Sequence, residues 1–126
     1  MFSLFSRSAP AAAGVRRVAP AEAAQLVREQ KAVLVDVRET EEWAATGVAK
    51  PAAMLSFIDL TGPRDQWTPF LRQVGDREII LYCRSGARSG VAARLLAAEG
   101  FKTADLGTLR SWHRAGLPVC KPPGVR

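Results

Sequence analysis

Residues 78–90 read Glu78-Ile79-Ile80-Leu81-Tyr82-Cys83-Arg84-Ser85-Gly86-Ala87-Arg88-Ser89-Gly90. From Glu78 to Tyr82 the chain is short, β-branched and almost wholly apolar, which is how a strand covered on both faces reads. After the small-residue stretch the period changes. Val91 pairs with Leu95, and Ala92 with Leu96, at i, i+4, while Ser89 can cap the start and Gly100 can close the end. A helix is therefore expected over 89–99, directly downstream of a strand that ends in a cysteine.

Outward from this unit, Ala32–Val37 (AVLVDV) is a second short apolar run with strand character. Pro20 opens a segment in which Ala23, Leu26 and Val27 recur on one helical face. Further helical patterns cover Thr40–Ala45 and Arg64–Gln73. Strands alternating with helices predict an α/β fold, a mostly parallel central sheet flanked by helices on both faces. The expected organisation is a flexible N-terminal lead (1–14), one domain (15–119) and a C-terminal tail (120–126). At 126 residues the chain has room for one ordinary core without disulfides or metal.

The net charge of +6 has an uneven origin. Arg7, Arg16, Arg17, Lys121 and Arg126 lie near the ends, and between Val18 and Cys120 13 basic residues face 12 acidic ones. A nucleic-acid partner would need a clustered basic face, so none is expected. No stretch reaches the roughly 20 apolar residues of a membrane span. Two cysteines, Cys83 and Cys120, are too few for a disulfide framework and have no ligand-like spacing to His113, so a reducing, cytoplasmic setting without metal or cofactor is expected. Ser3, Ser6, Arg7 and Ser8 interrupt the first residues, which argues against an export signal.

A loop between a strand's C-terminal end and a helix is where parallel sheets hold ligands. The helix N-terminus presents free N–H groups and positive dipole to an anion, and a thiol placed there ionises more easily. Arg84 and Arg88 add positive charge, and Gly86 permits the backbone conformations of an anion nest. The pattern points to Cys83 as a nucleophile that attacks an electrophilic sulfur or phosphorus and carries a covalent intermediate. A thiolate so stabilised needs no histidine base in the loop.

Cys83 to Ser89 resembles the active-site loop of the rhodanese homology family, Cys-Arg-Ser-Gly-x-Arg-Ser. The resemblance extends to Leu34-Val35-Asp36-Val37-Arg38 with Glu41, Glu42 and Trp43, and to Gly100-Phe101 and Leu106-Gly107 through Trp112 to Gly116-Leu117-Pro118-Val119. Together these span roughly Val15 to Val119. Two departures are Gly47-Val48-Ala49-Lys50-Pro51-Ala52, where the family has Gly-His-Ile-Pro-Gly-Ala, and Gly107-Thr108 in place of Gly-Gly.

The resemblance implies a single-domain sulfurtransferase in which Cys83 takes a sulfane sulfur from a small anionic donor such as thiosulfate. The resulting persulfide passes to cyanide or a thiol. Arg84, Ser85, Gly86, Ala87, Arg88 and Ser89 would hold substrate and persulfide, with Arg84 and Arg88 on the anion; a brace on the fold is the other reading of Arg88. A sulfur-relay protein is a further candidate partner, and the domain would then act as a persulfide carrier. The rival enzyme class is a cysteine phosphatase or arsenate reductase, but those space cysteine and arginine as C-x5-R, against C-x4-R here.

In the family pattern, Asp36 and Arg38 are expected to be structural, tying the strand to neighbouring backbone by buried charged hydrogen bonds. His113 and the three tryptophans Trp43, Trp67 and Trp112 are expected in structural roles, and Cys120 as a spare thiol in the tail.

Overall fold

Strands and helices alternate through most of the computed structural model, which describes residues 15–122. The expected flexible lead, 1–14, lies outside the described residues, as do residues 123–126. In chain order the elements are β1 (Arg16–Arg17), α1 (Pro20–Arg28), β2 (Ala32–Asp36), α2 (Thr40–Thr46), β3 (Val48–Ala49), β4 (Ala53–Met54), α3 (Phe57–Leu60) and α4 (Trp67–Gln73). There follow β5 (Glu78–Cys83), α5 (Ala87–Ala98), β6 (Thr103–Thr108), α6 (Leu109–Arg114) and β7 (Val119–Cys120).

Five strands form one sheet in the order β1-β6-β5-β2-β4, with every pairing parallel. This is the expected α/β architecture. The central strands β2 and β5 are apolar throughout because both of their faces are covered. Ile79, Leu81 and Cys83 join Val35, Val37, Trp67, Ala92 and Leu96 in one core, under α3, α4 and α5. Ile80 and Tyr82 join Leu34, Ala23, Leu106 and Trp112 in the other, under α1 and α6. Successive side chains of a strand point to opposite faces, so one apolar run supplies two cores.

Several boundaries differ from expectation for local reasons. The helix expected from Arg64 begins at Trp67, since Arg64 is in the left-handed region (φ 62°). The Asp59 carboxylate accepts from the N–H groups of Asp65, Gln66 and Trp67, and so takes over the free donors ahead of α4. Cys120, expected in the tail, is in β7, which pairs antiparallel with β3. Arg16, counted among unbalanced terminal charges, donates to both Glu78 and Glu22. The departure Gly107-Thr108 has a local use: Thr108 caps α6, its Oγ1 accepting from the Ser111 N–H at 3.0 Å.

Tyr82 is the chain's single tyrosine and is 0% exposed, its Oη accepting from the Ala49 N–H. Burial, reinforced by the neighbouring Asp36 charge, pushes its phenol well above the ordinary range. The folded state thus favours the neutral phenol, and that contribution to stability is lost as pH rises above the ordinary value of about 10. In an alkaline absorbance titration we expect phenolate to appear only together with loss of the circular dichroism signal. Phenolate in a chain that keeps its native spectrum would contradict this burial.

Candidate active site

The site forms where β5 ends. Arg84, Ser85 and Gly86 carry the chain from Cys83 into α5, and Gly86 is the N-cap at φ 97°, a left-handed conformation that favours glycine. The helix therefore starts at Ala87, earlier than expected, and Ser89 falls within its first turn instead of capping it. That placement turns two free backbone donors onto the cysteine sulfur: Gly86 N–H at 3.0 Å and Ser89 N–H at 3.4 Å.

Beneath the loop, Ser89 is 0% exposed and its Oγ lies 3.6 Å from Cys83 Sγ and 2.8 Å from Asp105 Oδ1. Asp105 Oδ1 also accepts from the Gly107 N–H at 2.9 Å. The pairing of β5 with β6 shifts by one residue here, from Leu81 opposite Asp105 to Tyr82 opposite Gly107. Gly107 accommodates the irregularity with φ 96°, and bulges of this kind recur beside active sites.

The two loop arginines part company. Arg88, expected as an anion contact, directs both terminal nitrogens onto the Glu42 carboxylate at 2.8 Å each, tying α5 to α2. Glu42 Oε1 also accepts from the Glu39 N–H at the start of α2, so the carboxylate that meets Arg88 is held by the first turn of its own helix. Arg84 is exposed, forms no ion pair among the described residues, and lines a cavity of about 870 Å³. Glu42, Thr46, Leu109, Arg110, His113 and Val119 also line it. His113 is thus an exposed wall residue, and Trp112 carries the packing expected of that segment. Cys83 itself is 0% exposed and is not among the residues that line the cavity.

Asp36 and Arg38 are buried and bond to backbone, as expected, and they also form an ion pair with each other. Arg38 Nε and Nη2 contact the carboxylate, Nη2 also donates to the Gly47 carbonyl, and Trp43 Nε1 donates to Asp36 Oδ1. Sequence reading missed Asp105, Arg110 and the Glu42–Arg88 bridge. For Asp105 a signal existed, an acidic residue inside an otherwise small or apolar strand, since a buried carboxylate almost always has a partner.

The Arg88 guanidinium holds the Glu42 carboxyl well below the usual range, at about 2. A depressed carboxyl adds stability above its ordinary value of 4.5, and this is lost as pH falls through about 2. Glu42→Gln is expected to be less stable than the natural chain at neutral pH, with the gap closing on acidification through that window. Urea titrations across the range would show it, and a gap that does not change with pH would mean the charge contributes nothing.

A parallel α/β sheet that presents a cysteine to a nest of backbone amides at a helix N-terminus defines a class of cysteine-loop proteins. Within that class, this chain belongs to the rhodanese-like domain family, whose model matches residues 19–114. A sulfurtransferase of Allochromatium vinosum is 34% identical over 102 residues, covering 79% of this chain and 89% of that one. The solution structure of a polysulfide-sulfur transferase homodimer from Wolinella succinogenes aligns with TM-score 0.65 at 25% identity, over 94% of this chain and 88% of that one. A Rhodopseudomonas palustris protein of unknown function, described as a possible tyrosine phosphatase, aligns with TM-score 0.72 at 22% identity, over 95% and 99%. The last likeness concerns the fold alone. Family and relatives together support sulfurtransferase activity. Among the described residues no helix is long and apolar enough to cross a membrane.

Proposed function

We propose that Cys83 accepts a sulfane sulfur from a small anionic donor such as thiosulfate, holds it as a persulfide, and yields it to cyanide or a thiol. The observation that carries this reading is the pair of backbone N–H groups aimed at Sγ from Gly86 and Ser89. In the first step the Cys83 sulfur bonds to the sulfane sulfur, and the donor's own S–S bond breaks with its electron pair leaving on sulfite. In the second, the acceptor attacks the outer sulfur and Cys83 departs as thiolate. Arg84 and Arg110, facing the cavity without ion-pair partners among the described residues, draw in the anion. Ser85 and Ala87 complete the turn around the sulfur. Arg88 acts as a brace through Glu42, the second of its two sequence readings.

That brace also weighs against the phosphatase alternative, whose arginine must be free to clamp a phosphoryl group. Intact mass after mixing with thiosulfate tests the proposal: a gain of about 32 Da, one sulfur, reversed by cyanide, is expected. If no sulfur loads while a phosphate ester is hydrolysed, the reading fails. Transfer rates to small thiols, compared with those to protein thiols, separate a free-standing enzyme from a persulfide carrier.

A further inference from the structure

The cavity that meets the loop at Arg84, the residue after Cys83, is larger than a small anionic donor needs. Its volume of about 870 Å³ lies within the roughly 300–1,000 Å³ of sites that take up organic ligands, whereas thiosulfate is a single small oxyanion. Ala45, Leu109 and Val119 make part of the wall apolar. Such a wall fits a reactant with a carbon body, and the reactant still to be accommodated is the sulfur acceptor.

The charges in the wall bear on what that body carries. Its acidic residue, Glu42, directs both oxygens to Arg88, and Arg38 is engaged with Asp36, Thr46 and the Gly47 carbonyl. Arg84, Arg110 and His113 also line the cavity, and none of them forms an ion pair among the described residues. Arg110 and His113 are exposed and three residues apart on α6, so they are neighbours on one face of that helix. The wall therefore combines apolar surface with uncompensated positive charge and offers no free carboxylate.

We infer that Arg110 selects the sulfur acceptor, and that this acceptor is an organic thiol whose carbon body bears carboxylates. The apolar wall takes the carbon body, Arg110 pairs with a carboxylate, and His113 beside it offers a ring N–H to the same anion. The inference rests on the sulfurtransferase reading of Cys83. The acceptor gives its thiol proton to solvent, and the thiolate attacks the outer sulfur of the Cys83 persulfide. A new S–S bond forms, the bond from that sulfur to Cys83 breaks, and its electron pair stays on Cys83 as thiolate. The product is the acceptor's own persulfide. Cyanide, which has neither a carbon body nor a carboxylate, would use none of this wall.

Because Arg110 also helps to draw in the donor, loading and discharge are separated in the test. Each chain is loaded to completion with thiosulfate, freed of excess donor and sulfite, and checked by intact mass. Discharge is then timed with mercaptosuccinate, a dicarboxylate, and with β-mercaptoethanol, which is neutral. Comparing the ratio of the two rate constants between variants cancels the intrinsic reactivity of each thiol. Arg110→Gln is expected to lower the mercaptosuccinate-to-mercaptoethanol ratio at least about fivefold, and added salt to narrow the difference. Arg110→Lys keeps the charge and should lose less than the glutamine variant. Arg114→Gln removes one charge from the same helix at a residue outside the cavity wall, and should keep the natural ratio. An unchanged ratio in Arg110→Gln, or an equal fall in Arg114→Gln, would overturn the inference; the second result would mean that overall charge, not the cavity, sets the preference. A natural chain that takes up no sulfur would overturn the sulfurtransferase reading and this inference with it, whereas loading followed by unselective discharge overturns the inference alone.

Discussion

Cys83→Ser is expected to lose sulfur transfer by on the order of 10³-fold or more, with no sulfur added to its mass, while its urea midpoint stays close to that of the natural chain. A serine oxygen fits the space of the sulfur and can accept from the Gly86 and Ser89 N–H groups. It lacks the nucleophilicity to displace a leaving group from a sulfane sulfur, and a hydroxyl in this loop has no histidine to activate it. The split between activity and stability is the useful part of the result. Residual turnover in the serine variant comparable to the natural chain would remove Cys83 from the chemistry. Restoration by Cys120 is not expected, since that thiol is held in β7 by pairing with β3.

Asp36→Ala is expected to cost about 3–5 kcal/mol of folding stability, because it leaves the Arg38 guanidinium buried without its counter-charge. Arg38 is 3% exposed and Asp36 0%. The same change strips partners from the Arg38 backbone N–H and from Trp43 Nε1. Domains of this size have only about 5–15 kcal/mol to lose, so the urea midpoint should fall steeply. Adding Arg38→Met should recover part of the loss, since removing both charges ends the burial of an unpaired one. If the double variant were no more stable than Asp36→Ala alone, the cost would lie in the lost packing and hydrogen bonds and not in the charge.

Much of the fold was legible because its determinants are local. The two apolar runs at 32–37 and 78–82 became β2 and β5, and the i, i+4 pairs after Gly90 became α5. Errors gathered where a single side chain redirects the backbone. Ser89 reads as a cap because serine usually is one near a helix start, yet Gly86 turns the chain three residues sooner. Asp59 likewise delays α4 by accepting N–H groups six to eight residues downstream.

By itself the sequence determined the kind of site: a cysteine at a strand's end, a small-residue turn and a helix N-terminus follow from neighbours in the chain. Only the tertiary structure decided how that site is wired. Glu42 meets Arg88 across 46 residues, Asp105 reaches Ser89 across 16, and the cavity is walled by α2, α6 and β7 together. These contacts depend on strand order and on the register shift between β5 and β6, which place residues side by side through the sheet's hydrogen bonds. Periodicity shows which face of an element is buried, whereas the partner of a charge on that face is chosen by the element packed against it.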